Sequence, residues 1–311
     1  MLDMMLCVAA LLFTSAVLYG FRVILLWLCS VLTAVLCEAA FQRLRKKPNT
    51  IADGSAMVTG SLLALLCPAG APYYLPMLGS AFAILAIKMP AGGLGRYPVN
   101  PTAAGWCFMA ACMPGDMFAY PAVFPRKALP LAVHPSFRPA ASSALLIKEE
   151  ALAGRGPMDI LCGKLVGPLG ATMAVVLAAC ACYLIYRRTA SHRIMAGFVF
   201  ACGVLAAFFP RAGLSGLDSI LWELCSGSLL FCAIFVATEP VTSPFLRISQ
   251  TGYGLLCGVL TMAFRRMPGM EQGAPIAILL CSLLSPLLDR LFLPRGRRNK
   301  IPNREPLALS E

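Results

Sequence analysis

The chain has 311 residues, 59% of them hydrophobic and only 13% charged, with a formal net charge of +12 and a mean hydropathy of +0.77. A soluble domain carries about 45–50% apolar and about 25% charged residues, so a water-dispersed enzyme of ordinary composition is excluded in favour of one body whose apolar side chains face lipid. The positive charge gathers at the ends of apolar runs, at 43–47, Arg187-Arg188 and 295–300, where topology and lipid headgroups account for it and nucleic acid does not.

A helix needs about 20 apolar residues to cross the hydrocarbon core. In chain order the predicted helices are 2–19, 21–41, 51–67 and 72–88, then 99–113, which is short for a full crossing. A long polar connection, 114–164, follows. The runs 165–186, 194–209, 217–238, 251–264 and 274–293 complete the set, before a basic tail at 294–311. The first run lacks a convincing small-residue cleavage site, so it reads as a retained helix and not as a signal peptide. The expected fold is therefore an all-α integral membrane protein of about ten transmembrane helices. It divides into an N-terminal membrane half (1–113), an extracytoplasmic connection (114–164), a C-terminal membrane half (165–293) and a cytoplasmic tail (294–311).

The distribution of Arg and Lys tests this count. With both termini inside, sixteen fall in inner segments and four (Arg22, Arg211, Arg265 and Arg266) in short outer turns. That bias is the expected one for a multi-pass protein with cytoplasmic termini. Two halves of five crossings each have opposite topology, the arrangement of inverted repeats, which place their sites between the repeats near the midplane. The fourteen cysteines lie mostly within apolar runs, without a Cys-x-x-Cys pair, and read as packing thiols.

Ionisable groups inside a bilayer are costly and point to function. Glu38, Asp53 and Glu239 stand out. Asp53 opens the third run in Asp53-Gly54-Ser55-Ala56-Met57-Val58-Thr59-Gly60, and Glu239 closes the eighth in Ala237-Thr238-Glu239-Pro240-Val241-Thr242-Ser243-Pro244. For each, a role in an ion path stands beside a plainer one: Asp53 as a helix cap, Glu239 as a solvated interfacial acid. Between them lies Gly92-Gly93-Leu94-Gly95-Arg96-Tyr97-Pro98-Val99-Asn100-Pro101. Its glycines free the backbone, and Asn100-Pro101 has the cap-then-proline pattern of a helix start. A short helix aimed into the protein is a ready ligand site. The stretch from Gly163 to Thr172, at the start of the sixth run, is a third feature; Gly163 and Gly167 stand four apart, with helix packing as the plain alternative. Constellations of soluble enzymes are missing: the two histidines, His134 and His192, fall in connections, and no phosphate loop or nucleophile elbow occurs.

In Asp53–Gly60, in Gly92–Gly95 with Asn100-Pro101 and in Ala237–Pro244, and in their order and separation from about Pro48 to Leu293, the sequence resembles the D subunit of the Rnf ion-translocating electron-transport complex and, more distantly, the B subunit of the sodium-pumping NADH:quinone oxidoreductase. The resemblance implies a fold of the urea-transporter type and a place in a bacterial cytoplasmic membrane. It also implies partnership with the other subunits of such a complex, and coupling of electron transfer to Na+ or H+ movement. Asp53, Asn100, Glu239 and Thr242 would then line the ion path or a flavin pocket. It further implies FMN or riboflavin, with Ser142, Ser143, Gly167, Gly170 and Thr172 as cofactor-binding candidates. Where the family esterifies FMN to a threonine, this chain reads Ala141-Ser142-Ser143-Ala144-Leu145, and Leu145 has no hydroxyl. A divergent member without covalent flavin is one consequence; a solute channel of the same fold without redox activity is the other.

Overall fold

The computed structural model describes residues 1–46, 53–121, 166–211, 216–267, 270 and 272–292. Every regular element among them is helical. The first is α1, Leu2–Tyr19, with the predicted bounds; α2, Arg22–Leu44, runs on past the predicted end. Then come α3 (Ser55–Leu66), α4 (Tyr74–Lys88), α5 (Pro101–Cys112) and the single turn α6 (Pro114–Met117). The second half holds α7 (Ala174–Tyr186), α8 (His192–Phe208), α9 (Gly216–Cys225), α10 (Leu229–Val236), α11 (Arg247–Arg266) and α12 (Gly273–Phe292).

Two predicted helices are corrected. The run 165–186 is helical only from Ala174, because Gly167, Pro168 and Gly170 break it into an irregular segment with one 3-10 turn at Leu169–Ala171. The run 217–238 is two helices bent by 67° at Ser226-Gly227-Ser228. His192 opens α8 and does not lie in a connection. Taken singly, α1, α2 and α12 are long and apolar enough to cross a membrane, and α9 with α10 would form a fourth such span. The helices α3, α4, α7 and α8 are apolar but shorter. The long connection and the tail lie mostly outside the described residues.

Serine and glycine stitch the bundle where backbones approach. Ser30 on α2 donates to the Gly60 carbonyl at 2.6 Å and shares a 2.7 Å bond with Ser80 on α4. Trp27 donates to Ser61 at 2.9 Å. Between lipid-soluble faces there is no hydrophobic drive to associate, so small residues and interhelical hydrogen bonds take that role.

Two of the four cations read as outer-turn charges are internal fasteners. Arg22 is fully buried, donates to the Ala69 and Ala71 carbonyls at 3.3 and 2.7 Å, and lies 4.6 Å from the Tyr73 ring centre. It thereby satisfies carbonyls of the turn from α3 into α4, which lipid could not. Arg265, also buried, donates to the Glu223 and Ser226 carbonyls at 2.7 Å each and to the Glu223 carboxylate at 2.9 Å. Arg211 pairs with the same carboxylate. This network fixes the bend between α9 and α10.

Candidate functional site

The site forms where the start of α5 and the segment before it meet the last turn of α10; α4, which leads into that segment, also ends in an irregular turn. Both turns are π-helical, at Ala83–Lys88 and Cys232–Val236. A π turn inserts a residue and leaves backbone groups free for other partners, a device frequent at functional sites. Here Asn100 uses the opening: its amide nitrogen donates to the Val236 carbonyl at 2.8 Å while its side-chain oxygen accepts from Ala103 N at 2.9 Å. The predicted cap of α5 is thus real, and the same residue ties the first half to α10. The Asn100 backbone N–H also reaches Ser282 on α12, at 3.4 Å.

Glu239 follows directly. Tyr97 donates to its carboxylate at 2.5 Å and Thr242 donates to its other oxygen at 3.4 Å. Tyr97 and Thr242 are buried and Glu239 is half-buried, so the acid is held inside the protein and not simply solvated. Gly92, Gly93 and Gly95 have φ of 113°, 90° and 88°, which L side chains rarely adopt. They let the chain fold back from α4 and deliver Tyr97 and Asn100 to α10.

Beside this contact lies a residue whose place in the sequence is that of a topological charge. Lys88 is 1% exposed; its ammonium donates to Glu38 at 2.9 Å and to the Ser55 hydroxyl at 2.6 Å. Gln42 donates to the other Glu38 oxygen at 3.2 Å. Asp53 does not cap α3, which begins after Gly54 with no side-chain cap. Of the four ion-path candidates, Glu239 and Thr242 are hydrogen-bonded to each other and Asn100 binds the Val236 carbonyl three residues before Glu239; Asp53 makes no hydrogen bond or ion pair with them among the described residues. Lys88 and Tyr97 are absent from the sequence-based expectation. Lys88 has a signal in the sequence, a lone cation at the end of an apolar run that also contains no acid to pair with.

The flavin candidates are elsewhere. Gly170 packs so closely that a Cβ there would lie 2.7 Å from the Phe231 ring and 2.9 Å from Leu65. Leu169 N donates to the Cys67 carbonyl at 3.1 Å, and Thr172 donates to the Leu169 carbonyl at 3.3 Å. Gly167, Gly170 and Thr172 therefore form a packed turn beside α3 and α10, next to the turn that Arg22 holds. Ser142, Ser143 and Leu145 lie outside the described residues.

Among the described residues, an all-helical body with helices long and apolar enough to cross a bilayer is that of a membrane protein. The chain belongs to the NQR2, RnfD, RnfE family, which it matches over residues 1–297. It is 33% identical over 279 residues to the D subunit of the Na+-translocating ferredoxin:NAD+ oxidoreductase complex of Acetobacterium woodii, covering 89% of this chain and 83% of that protein. It is 31% identical to the D subunit of the ion-translocating oxidoreductase complex of Stutzerimonas stutzeri, over 90% of this chain and 86% of the relative. The D subunit of the proton-translocating ferredoxin:NAD+ oxidoreductase complex of Clostridium ljungdahlii is 29% identical, over 89% of this chain and 84% of its own length.

Proposed function

We propose that the chain is a membrane subunit of an ion-translocating oxidoreductase complex, working with the other subunits to couple electron transfer of the ferredoxin:NAD+ type to cation movement. The observation that carries this reading is the Tyr97–Glu239 contact: titratable groups of both halves meet at the ends of apolar helices, where each costs free energy unless it serves a purpose, and a second buried pair, Lys88–Glu38, lies at the end of α4. Relatives of nearly equal similarity are named for Na+ in one case and for protons in another, so the cation class is Na+ or H+.

The chain path supports ten crossings with both termini on the cytoplasmic side of a bacterial membrane, taking α9 and α10 as one broken span. It also supports inverted repeats of five. Each half ends its fourth helix in a cation followed by Met-Pro, Lys88-Met89-Pro90 and Arg266-Met267-Pro268. Beside each lies a buried cation–glutamate pair, Lys88–Glu38 and Arg265–Glu223.

The test uses the assembled complex in proteoliposomes. Asp53→Asn and Glu239→Gln are expected to leave electron transfer in place and to lower the charge moved per NADH formed by about tenfold, since a neutral amide cannot offer a cation a carboxylate. Wild-type ratios in both variants would remove the acids from the ion path.

Flavin enters this proposal only as a noncovalent group. A phosphoester needs a hydroxyl, and Leu145 has none, so the residue present does not fit the threonine-linked cofactor and no step is routed through it. We expect the purified complex to release any flavin of this subunit on acid extraction. The 137–148 peptide should carry no FMN mass in mass spectrometry; an adduct on Ser142 or Ser143 would overturn this.

A further inference from the structure

We propose that a hydrated path runs through the seam between α11, α12 and the segment 237–246, with water held on the hydroxyls of Tyr253 and Ser285, and that it joins Glu239 to Asp289 near the end of α12. This rests on the ion-path function proposed above and gives Glu239 a route to one side of the membrane.

Two buried hydroxyls carry the inference. Tyr253 on α11 and Ser285 on α12 are 0% and 1% exposed, and neither side-chain oxygen has a hydrogen-bond partner among the described residues. Inside a lipid-embedded body an unmet hydroxyl is costly. For packing alone, phenylalanine and alanine would fill the two positions without that cost. The register of the helices brings the hydroxyls to one level. Ser249 donates to the Leu288 carbonyl at 3.4 Å, and a Cβ at Gly273 would lie 2.9 Å from the Thr261 carbonyl oxygen, so α11 and α12 pack antiparallel along their length. Tyr253 stands four residues beyond Ser249, and Ser285 three before Leu288. Each is therefore about 5–6 Å along the seam from that contact. Two partnerless hydroxyls at one level meet the need of a buried water, which takes two to four polar partners.

Hydrogen bonds at both ends lay the segment that carries Glu239 along this seam. At one end Asn100 binds Ser282 through its backbone N–H and the Val236 carbonyl through its side chain, so the end of α10 lies against α12 at Ser282. At the other end the Asp289 carboxylate accepts the N–H groups of Phe245 and Leu246 at 3.0 and 3.2 Å. Residues 237–246 therefore run beside α12 from Ser282 to Asp289, about 10 Å at helical rise, and bring Glu239 and the buried Thr242 with them. Ser282, Ser285 and Asp289 follow one another at intervals of three and four, the spacing of a single helix face. Ser285 thus opens onto the covered face, midway between the two anchors. Each Asp289 oxygen spends one lone pair on a backbone N–H, which leaves the carboxylate room to accept from water. Water in the seam accordingly has a carboxylate at either end and hydroxyls, which both donate and accept, between them. A cation crossing it keeps oxygen ligands throughout. Asp289 lies one turn from the end of α12, so the route opens on the side of the membrane that the C-terminus occupies.

The experiment uses the assembled complex. Hydroxyl radicals made by radiolysis arise from water in place, and they label a buried side chain only where water sits beside it. Tyr253 is expected to be oxidised, while Phe198 and Phe231, equally buried, stay unlabelled. An unlabelled Tyr253 overturns the inference. Ser285→Leu then plugs the seam with carbon. In proteoliposomes that record membrane potential and NADH formation together, it is expected to abolish the Tyr253 label and to lower the charge moved per NADH about tenfold, because the oxygens of the seam lose the water that satisfies them. A wild-type ratio overturns the path, as does a label that survives the plug. Should Ser285→Leu fail to assemble, Tyr253→Phe decides, since it removes one oxygen and keeps the ring. Its thermal midpoint and its ratio both fall if the hydroxyl holds water of the path. A midpoint that holds or rises marks a merely unsatisfied group and overturns the inference, and so does a wild-type ratio. Glu239→Gln in the same preparation separates the two failures. Wild-type coupling there sinks the ion-path reading itself. Loss there with wild-type coupling in the seam variants sinks only the route.

Discussion

Arg265→Ala is expected to destabilise the folded subunit by about 3–5 kcal/mol, the cost of leaving a buried charge without its partner. Glu223 and Arg265 have side chains 2% exposed each, so water does not replace the lost guanidinium. The truncation also strands the Glu223 and Ser226 carbonyls at the bend between α9 and α10, and in a membrane each unsatisfied group is costly. Arg211 offsets part of this, because it already pairs with Glu223. The check is the thermal midpoint of the detergent-solubilised complex, followed by the double variant Arg265→Met/Glu223→Gln. Neutralising both partners should recover much of the loss, since replacing a whole buried pair costs far less than removing half of it. An unchanged midpoint for Arg265→Ala would mean that the bend is held by other contacts.

The consequence for function is positional. The bend that Arg265 fixes sets the start of α10, and α10 ends at Glu239. With about 1.5 Å of rise per residue, the eight residues of α10 carry any displacement at Ser228 directly to the carboxylate that Tyr97 holds. Glu38 lies sixteen residues along α2 from Arg22, about 24 Å at the same rise, so one buried polar cluster stands near each end of a span. The fasteners at one end and the ionisable site at the other are parts of one arrangement. Arginine-to-carbonyl contacts hold the helix breaks, and a buried lysine–carboxylate pair closes the last turn of α4.

Much of this was legible in the residues. Hydrophobic runs place α1 with its observed bounds and put most other helix ends within a few residues. The Asn100-Pro101 signal is a real cap. Glu239 was legible as an acid at the end of a greasy run, which has few cheap explanations, and it is held by Tyr97 from the other half. Long-range partners were not legible. Lys88 closes an apolar run as an interfacial lysine would, and only folding shows that Glu38, fifty residues earlier, waits for it. The bend inside 217–238 had a local signal, Ser226-Gly227-Ser228 with Glu223 one turn before, but a continuous apolar run outweighs it in any periodicity reading. Similarly, Arg22 and Arg265 sit at helix ends as topology-setting cations do, and their carbonyl partners belong to turns that sequence alone does not bring near.

Gly254→Ala and Gly258→Ala, each a single added methyl, are expected to destabilise the second half more than their size suggests. A Cβ at Gly254 would lie 2.5 Å from the Ile194 carbonyl oxygen, and one at Gly258 would lie 2.7 Å from the Phe198 carbonyl oxygen and 2.7 Å from the Ala201 methyl. These obstacles are chiefly backbone of α8, so no rotamer change relieves them and the two helices must separate. Overpacking of this sort costs about 1–3 kcal/mol. In a bilayer it also removes the close contact on which helix association depends. Gly252 supplies the control on the same helix, since the nearest atom to a Cβ there is a Phe292 ring carbon at 3.6 Å, ordinary contact distance. Gly252→Ala should therefore hold the wild-type thermal midpoint while the other two fall. Separation of α8 from α11 would also move the end of α11 that carries Arg265. The Gly254 and Gly258 variants should accordingly lower coupling along with stability, and equal midpoints for all three would show that α8 and α11 are not in close contact.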